Sequence, residues 1–188
     1  GRITNNYTNS VSYMSIMFSN PEASLFSEND KKELLKLARG TLEYFVNYGK
    51  MPSLKDIGVT LSPVMEKDMG VFVTLHENGE LRGCIGEIFP SREIWKVIRE
   101  HACNAAFCDP RFTPLTMGEL ENLEIEISVL SQPRPVSSWH DIVVGRHGVV
   151  LSKSGLNAVF LPQVAPEQGW SLEEMLSHLA LKAGLPPD

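Results

Sequence analysis

The run Gly70-Val71-Phe72-Val73-Thr74-Leu75-His76-Glu77, then Asn78-Gly79, then Glu80 to Ile88 constrains the fold of this chain more than any other stretch. Asn-Gly between two apolar runs predicts a two-residue type I′ turn, because both of its positions need positive φ. An antiparallel hairpin is therefore expected, closed on its far side by Pro90. Simple closure of such a turn also sets the register. Glu77 is expected opposite Glu80, Leu75 opposite Arg82, and Val73 opposite Cys84. Opposed residues share a face of the sheet. Val71, Val73, Leu75, Arg82, Cys84 and Gly86 are then expected together, with Phe72, Thr74, His76, Leu81, Gly83 and Ile85 on the other side. That arrangement sets Arg82 beside Cys84, about 7 Å apart at strand spacing.

The rest of the chain supplies partners for this hairpin. Leu34, Leu37, Ala38, Leu42, Phe45 and Val46 recur at helical spacing, Ser27 stands at the N-cap position, and Gly49 with Pro52 marks the stop. Ser62-Pro63 is read as opening a short helical turn, and Ser91 to Cys108 as a second helix. Thr116-x-x-Glu119 has the form of a capping box. Leu123 to Leu130 alternates apolar and polar residues, as a half-buried strand does. Gln132-Pro133-Arg134-Pro135 is expected to be a linker-like break, and Ile142 to Leu161 to hold two or three strands, with Leu161 to Val164 as a strand end. Ser171-x-x-Glu174 opens a last helix that stops at Gly184. Strands and helices do not alternate as βαβ units, which predicts an α+β fold with a mainly antiparallel sheet flanked by helices. Residues 1–26, rich in Asn, Ser and Tyr, are read as a loosely ordered leader, and residues 27–188 as the domain.

Composition narrows the function. The chain has 188 residues and a net charge of -6, which argues against a general nucleic-acid binder, since phosphate contacts need surplus Lys and Arg. It contains three cysteines, an odd number with no C-x-x-C pair, so a reducing, cytoplasmic setting is expected rather than a disulfide framework. It has no apolar run long enough for a spanning helix, and no membrane association is expected.

The chemistry-bearing candidates cluster around the second hairpin strand. A cation beside a thiol stabilises the thiolate, which is the nucleophilic form, and this makes the Arg82/Cys84 pair a candidate centre. Gly83 and Gly86 in the same strand mark a close approach of backbone or ligand. The plainer account has Cys84 as a small core residue, with Arg82 in an ion pair to Asp109, Glu124 or Glu126. Arg111 in Asp109-Pro110-Arg111-Phe112 suits a bidentate clamp on a carboxylate or phosphate, or an ion pair within its own turn. His147, in Gly145-Arg146-His147-Gly148, could be a base toward a cysteine or an exposed loop histidine. The Gln163 amide could bind a ligand or satisfy local backbone. His101, Cys103 and Cys108 lack any standard zinc spacing and read better as a packed helix. No metal site is expected, and the glycines match no phosphate-binding loop.

Leu81-Arg82-Gly83-Cys84-Ile85-Gly86 resembles the signature of the AMMECR1 family. Asn104-Ala105-Ala106, Asp109-Pro110-Arg111-Phe112, Pro114-Leu115 with Glu119-Leu120, Leu123 to Leu130, Leu161 to Trp170 and Lys182 to Pro186 follow the same family's pattern in order. The resemblance covers roughly residues 27–188, and members of that family usually continue past Asp188 with a closing segment. It implies two closely joined subdomains, the larger holding both chain ends, with a cleft between them that suits a small-molecule ligand. It also implies an association with companions of the Memo type and with radical-SAM proteins, but no established activity or cofactor. Two expectations follow. One is a small-molecule enzyme with Cys84 as nucleophile or redox thiol. Arg82 and His147 would assist, and Arg82, Gly83, Gly86, Asp109, Arg111 and Gln163 would meet the substrate. The other is a non-enzymatic binding or adaptor module.

Overall fold

The computed structural model describes residues 14–19, 25–89, 91–131 and 133–187, the first of these stretches by its backbone alone. The chain divides into two compact units. One is the continuous stretch Pro21–Gln132; the other joins the N-terminal residues to the stretch from Pro133 onward. The unit with both chain ends is the shorter of the two, the reverse of the expected order.

In the unit 21–132, helix α1 (Glu28–Tyr48) begins where Ser27 and Asp30 cap each other reciprocally and ends at Gly49 in the left-handed conformation. Strands β2 (Gly70–Glu77) and β3 (Glu80–Glu87) flank the Asn78-Gly79 turn, where both residues have positive φ, 54° and 81°. A hydrogen-bonded turn at Ser62 to Met65 stands where a short helical turn was expected. Helix α2 (Ile94–Phe107) follows, then a 3-10 turn (Met117–Asn122) opened by the Thr116–Glu119 capping box, then β4 (Leu123–Leu130). The sheet order is β3-β2-β4, antiparallel throughout. Leu37, Ala38 and Leu42 of α1, Val71, Val73 and Leu75 of β2, and Val97, Ile98 and Ala102 of α2 are fully buried and form the core. Burial of each of the Leu, Val and Ile side chains among them stabilises the fold by about 1.5–3 kcal/mol. Arg39 of α1 donates to the carbonyls of Leu120 (2.8 Å) and Leu123, fastening the helix to the start of β4.

The hairpin register differs from the expected one. Glu77 pairs with Glu80 and His76 with Leu81, but Leu75 pairs with Gly83, Thr74 with Cys84, Val73 with Ile85 and Phe72 with Gly86. Arg82 is the extra residue of a β-bulge, and beyond it every residue of β3 changes face. Gly83 therefore shares the core face with Leu75, while Cys84 stands with Phe72 and Thr74 on the opposite face. The bulge has a steric reason. A Cβ on Gly83 would lie 2.1 Å from the Ala105 carbonyl oxygen of α2, so this position is held by backbone contact with the helix. Gly86 is covered in turn by the Phe72 ring, 2.5 Å from where its Cβ would be.

The second unit contains a sheet in the order β5-β1-β6-β7. Its strands are β1 (Met14–Ser19), β5 (Arg134–Pro135), β6 (His147–Lys153) and β7 (Leu156–Phe160). Two expectations are corrected here. Part of the supposed leader is the inner strand β1, and Arg134-Pro135 is a short strand paired to it rather than a linker. Residues 1–13 and 20–24 lie outside the described residues. Leu161 to Val164 is not a strand end either: it leads into the short helix α3 (Val164–Gln168). Helix α4 (Leu172–Lys182) starts at the expected Ser171–Glu174 capping box, and Met175 and Leu179 pack with Val149, Phe160 and Ala165.

The Gly83 contact predicts a sharp contrast. Gly83→Ala should lower the unfolding free energy by about 2–4 kcal/mol, because a backbone carbonyl must move to admit the methyl group. Gly118→Ala, where no atom lies within 4 Å of the added Cβ, should change it by less than about 0.5 kcal/mol. Urea denaturation of both variants checks the pair; equal, small effects would remove the steric account of the bulge.

Candidate functional site

The bulge delivers Cys84 to the side of the sheet away from α1 and α2. Pairing across the three strands puts Cys84, Thr74 and Glu126 in one row, and Gly86, Phe72 and Ser128 in the next. Thr74 Oγ1 donates to Cys84 Sγ at 3.3 Å, and Ser128 Oγ donates to Glu126 Oε1 at 3.2 Å. Cys84 is half-buried, Cys103 is buried and Cys108 is exposed, and all three are free thiols.

A buried carboxylate fixes the backbone at this point. Asp109, only 5% exposed, accepts the Cys84 N–H at 2.9 Å through Oδ2. The same carboxylate accepts the Arg111 N–H (3.1 Å) and Nε–H (2.9 Å) on Oδ1 and the Arg111 Nη2–H (2.7 Å) on Oδ2. The hydrogen bonds from Arg111 hold the Asp109 carboxyl far below the usual carboxylate range, with the Cys84 amide assisting and burial opposing. Arg111 is raised above its ordinary value, first by its hydrogen bonds to Asp109 and further by that carboxylate's charge, with burial opposing. Its side chain remains 54% exposed. Arg111 is thus spent on an ion pair within its own turn, and Asp109 on positioning, rather than either clamping a ligand alone.

Arg82 points elsewhere. Its Nε donates to Glu119 Oε1 at 2.7 Å and its Nη2 to the Thr113 carbonyl at 2.9 Å. Phe112 lies under both guanidinium groups, 6.0 Å from Arg82 Cζ and 5.3 Å from Arg111 Cζ. The ion-pair partner is Glu119, not Asp109, Glu124 or Glu126. Asp109 is already filled by Arg111 and Cys84, and Glu124 and Glu126 are exposed on β4. Glu119 Oε2 meanwhile accepts from Thr116 N (2.6 Å) and Oγ1 (2.7 Å), so one carboxylate closes both the capping box and the buried ion pair. Its double role hid it from the sequence, where the capping box fully accounts for it. Thr74, the thiol's partner, was hidden by the unforeseen bulge.

The structure therefore gathers Arg82, Gly83, Cys84, Gly86, Asp109 and Arg111 within one unit, though with Arg82 turned away from the thiol. His147 and Gln163 belong to the other unit. His147 Nδ1 accepts the Val143 N–H at 3.0 Å, and its pKa is pushed down by burial first and then by Arg146 and Arg134. Gln163 occupies the cap position of α3 without a side-chain capping bond. His101 Nε2 lies 3.5 Å from Glu87 Oε2, and Cys103 Sγ contacts Met51 Sδ at 3.5 Å. Among the described residues no three His, Cys, Asp or Glu side chains gather as a metal site, and no helix is long and apolar enough to cross a membrane.

Residues 35–188 match the AMMECR1 family model. The chain belongs to the AMMECR1 family. It is similar to a Methanosarcina mazei protein, 39% identical over 169 residues, covering 87% of this chain and 85% of that relative. It is likewise similar to a Methanothermobacter thermautotrophicus protein, 40% identical over 168 residues and 86% of each chain. The crystal structure of an uncharacterised protein from Pyrococcus horikoshii superimposes with a TM-score of 0.74 at 37% identity, covering 82% of this chain and 79% of that one. The α+β fold is therefore that of an AMMECR1-family protein.

In this AMMECR1-family chain the motif residues are bonded to one another. Arg82 reaches Glu119 and Thr113, Asp109 reaches Cys84 and Arg111, and Gly83 seats on Ala105. The Arg82 hydrogen bond, with help from Thr116, lowers the Glu119 pKa from 4.5 to about 2. A depressed carboxylate contributes stability that is complete above its unfolded value and is lost as pH falls through its folded one. Glu119→Gln should therefore flatten the stability profile between about pH 4.5 and 2. The expected loss in the native protein over that window is on the order of 1–2 kcal/mol, after allowing for solvent screening of a side chain near the surface. Urea midpoints measured at pH 6 and pH 3 check this, and parallel profiles for the two proteins would contradict it.

Proposed function

We propose that the face of the β3-β2-β4 sheet around Cys84 is the working surface, and that Cys84 is its reactive thiol toward a small-molecule ligand. The observation that carries this reading is the position of the thiol. Cys84 leaves the core at the bulge, its amide is held by the buried Asp109 carboxylate that also pairs with Arg111, and its sulfur lies beside Thr74. Arg111 takes the role first expected of Arg82. Its guanidinium is bonded to the same carboxylate that holds the Cys84 amide, and its exposed side leaves room for an anionic group on the ligand. Positive charge near a thiol favours the nucleophilic thiolate. Three free thiols suit a reducing compartment, and we place the protein in the cytoplasm on that basis.

Iodoacetamide alkylation in a Cys108→Ser background, followed from pH 5 to 9, tests the reading. Cys84 should react about tenfold faster at pH 7 than an unstructured thiol, as thiols beside a cation do. Cys84→Ser should abolish the fast phase, and Arg111→Gln should slow it while the Arg82→Lys variant retains it. A rate no greater than that of a free thiol at every pH defeats the proposal.

A second reading, a binding or adaptor module for Memo-type or radical-SAM companions, is favoured by one observation. Arg82, Asp109 and Glu119 are consumed in bonds to the chain itself, which leaves Cys84 without an adjoining base among the described residues of its own unit. Saturable association with such a companion, lost on Glu126→Lys at the exposed face, supports it. Its absence alongside a fast Cys84 thiol favours the first reading.

A further inference from the structure

A concave site lies on α2, within the unit 21–132 and built from residues that the thiol site does not use. It encloses about 410 Å³, within the size range of small-ligand pockets. Phe45, Phe107 and Met51 supply apolar wall, and the rim carries Arg92, Lys96 and Arg99 against the single carboxylate Glu100. Glu87 and Glu93, outside the lining, pair with two of these cations.

The three cations are not equivalent. Arg92 is bound to Glu100 (2.5 Å) and Glu87 (3.4 Å), and Lys96 to Glu93 (2.7 Å). Arg99 donates one Nη1–H to the Pro52 carbonyl at 3.1 Å and lies over the Trp95 ring, 5.3 Å from its centroid. Among the described residues it has no carboxylate within ion-pair distance. The Nε–H groups of both Arg92 and Arg99 are buried without an acceptor among those residues. The outer Nη donors of an arginine can meet a planar oxyanion in fork geometry. Cys103, also in the lining, is nearly dry and in contact with Met51 Sδ. Burial pushes its thiol up to about 12, so the floor stays neutral.

We infer that this pocket binds a small organic anion, an apolar and preferably aromatic body carrying one carboxylate or phosphate, with Arg99 as its principal counter-charge and the Phe45/Phe107 wall holding the apolar part. Phe45 and Phe107 already meet each other at 5.0 Å between centroids, which provides an aromatic surface for a further ring. The site is independent of Cys84.

Calorimetric titration of the full chain with 2-naphthoate, 2-naphthyl phosphate and the neutral isostere 2-naphthamide tests the inference. At least one of the two anions should bind saturably at one site, with the amide at least about tenfold weaker, since it lacks the charge-assisted bonds. Arg99→Gln should weaken anion binding by about tenfold, a loss of about 1.4 kcal/mol. Cys108→Trp, at an exposed lining position, should block the pocket, and Cys84→Ser should leave binding unchanged. Circular dichroism verifies that each variant is folded, and Arg99→Gln alone decides if Cys108→Trp is not. Failure of both anions to saturate below about 5 mM, where affinity would be weaker than about 3 kcal/mol, overturns the site. Equal binding of anion and amide, or unchanged affinity in Arg99→Gln, overturns it as well.

Discussion

The Asp109 carboxylate is the constraint on which the geometry of this unit depends. It leaves water almost completely while charged, a costly step for an isolated ion. Four donors offset that cost: two from the Arg111 side chain, one from the Arg111 backbone and one from the Cys84 amide. The bond to Cys84 spans 25 positions in sequence and fixes β3 just after its bulge. From there the other contacts follow in order. Gly83 is turned onto the Ala105 carbonyl, Arg82 is displaced toward Glu119, and the 109–113 turn is tied to the strand at two places.

Local signals in the chain foretold local structure well. Ser27, Thr116 and Ser171 cap where their side chains suggest, and Asn78-Gly79 adopts the two positive φ values its residues favour. Each of these features depends on residues within about four positions of one another. The misreadings involve distant partners. A simple two-residue hairpin carries its register down the whole strand, and nothing in residues 70–88 announces that Ala105 needs a glycine opposite it. Once Arg82 bulges, every later residue of β3 is inverted. Leu81 to Gly86 lies in the second hairpin strand as the sequence suggests, but Arg82 and Cys84 do not stand side by side on the expected face. The strand Met14–Ser19 was missed for a different reason: Met14, Ile16 and Phe18 alternate with Ser15, Met17 and Ser19, a weak pattern within polar flanks.

The inversion changes what the thiol can do. On the expected face Cys84 would lie among Val71, Val73 and Leu75, which are wholly buried, and would be inert packing. On the observed face it stands in a row with a hydroxyl and a carboxylate. The cation proposed to act on it is not two positions away in sequence but 27 positions further along the chain, in a turn that Asp109 ties to the strand.

The order of strands has a consequence for the newly made chain. The stretch 21–132 is continuous and holds all the residues of its own sheet and helices. Strand β1 precedes that unit in the chain, yet it lies between β5 and β6, so both its edges stay unpaired while more than a hundred further residues are synthesised. Domains generally fold as units as they leave the ribosome. The continuous unit is therefore complete while β1 still waits for its neighbours, and during that interval β1 offers two open edges to any other strand nearby. Its brevity and the serines at its second and last positions limit that exposure.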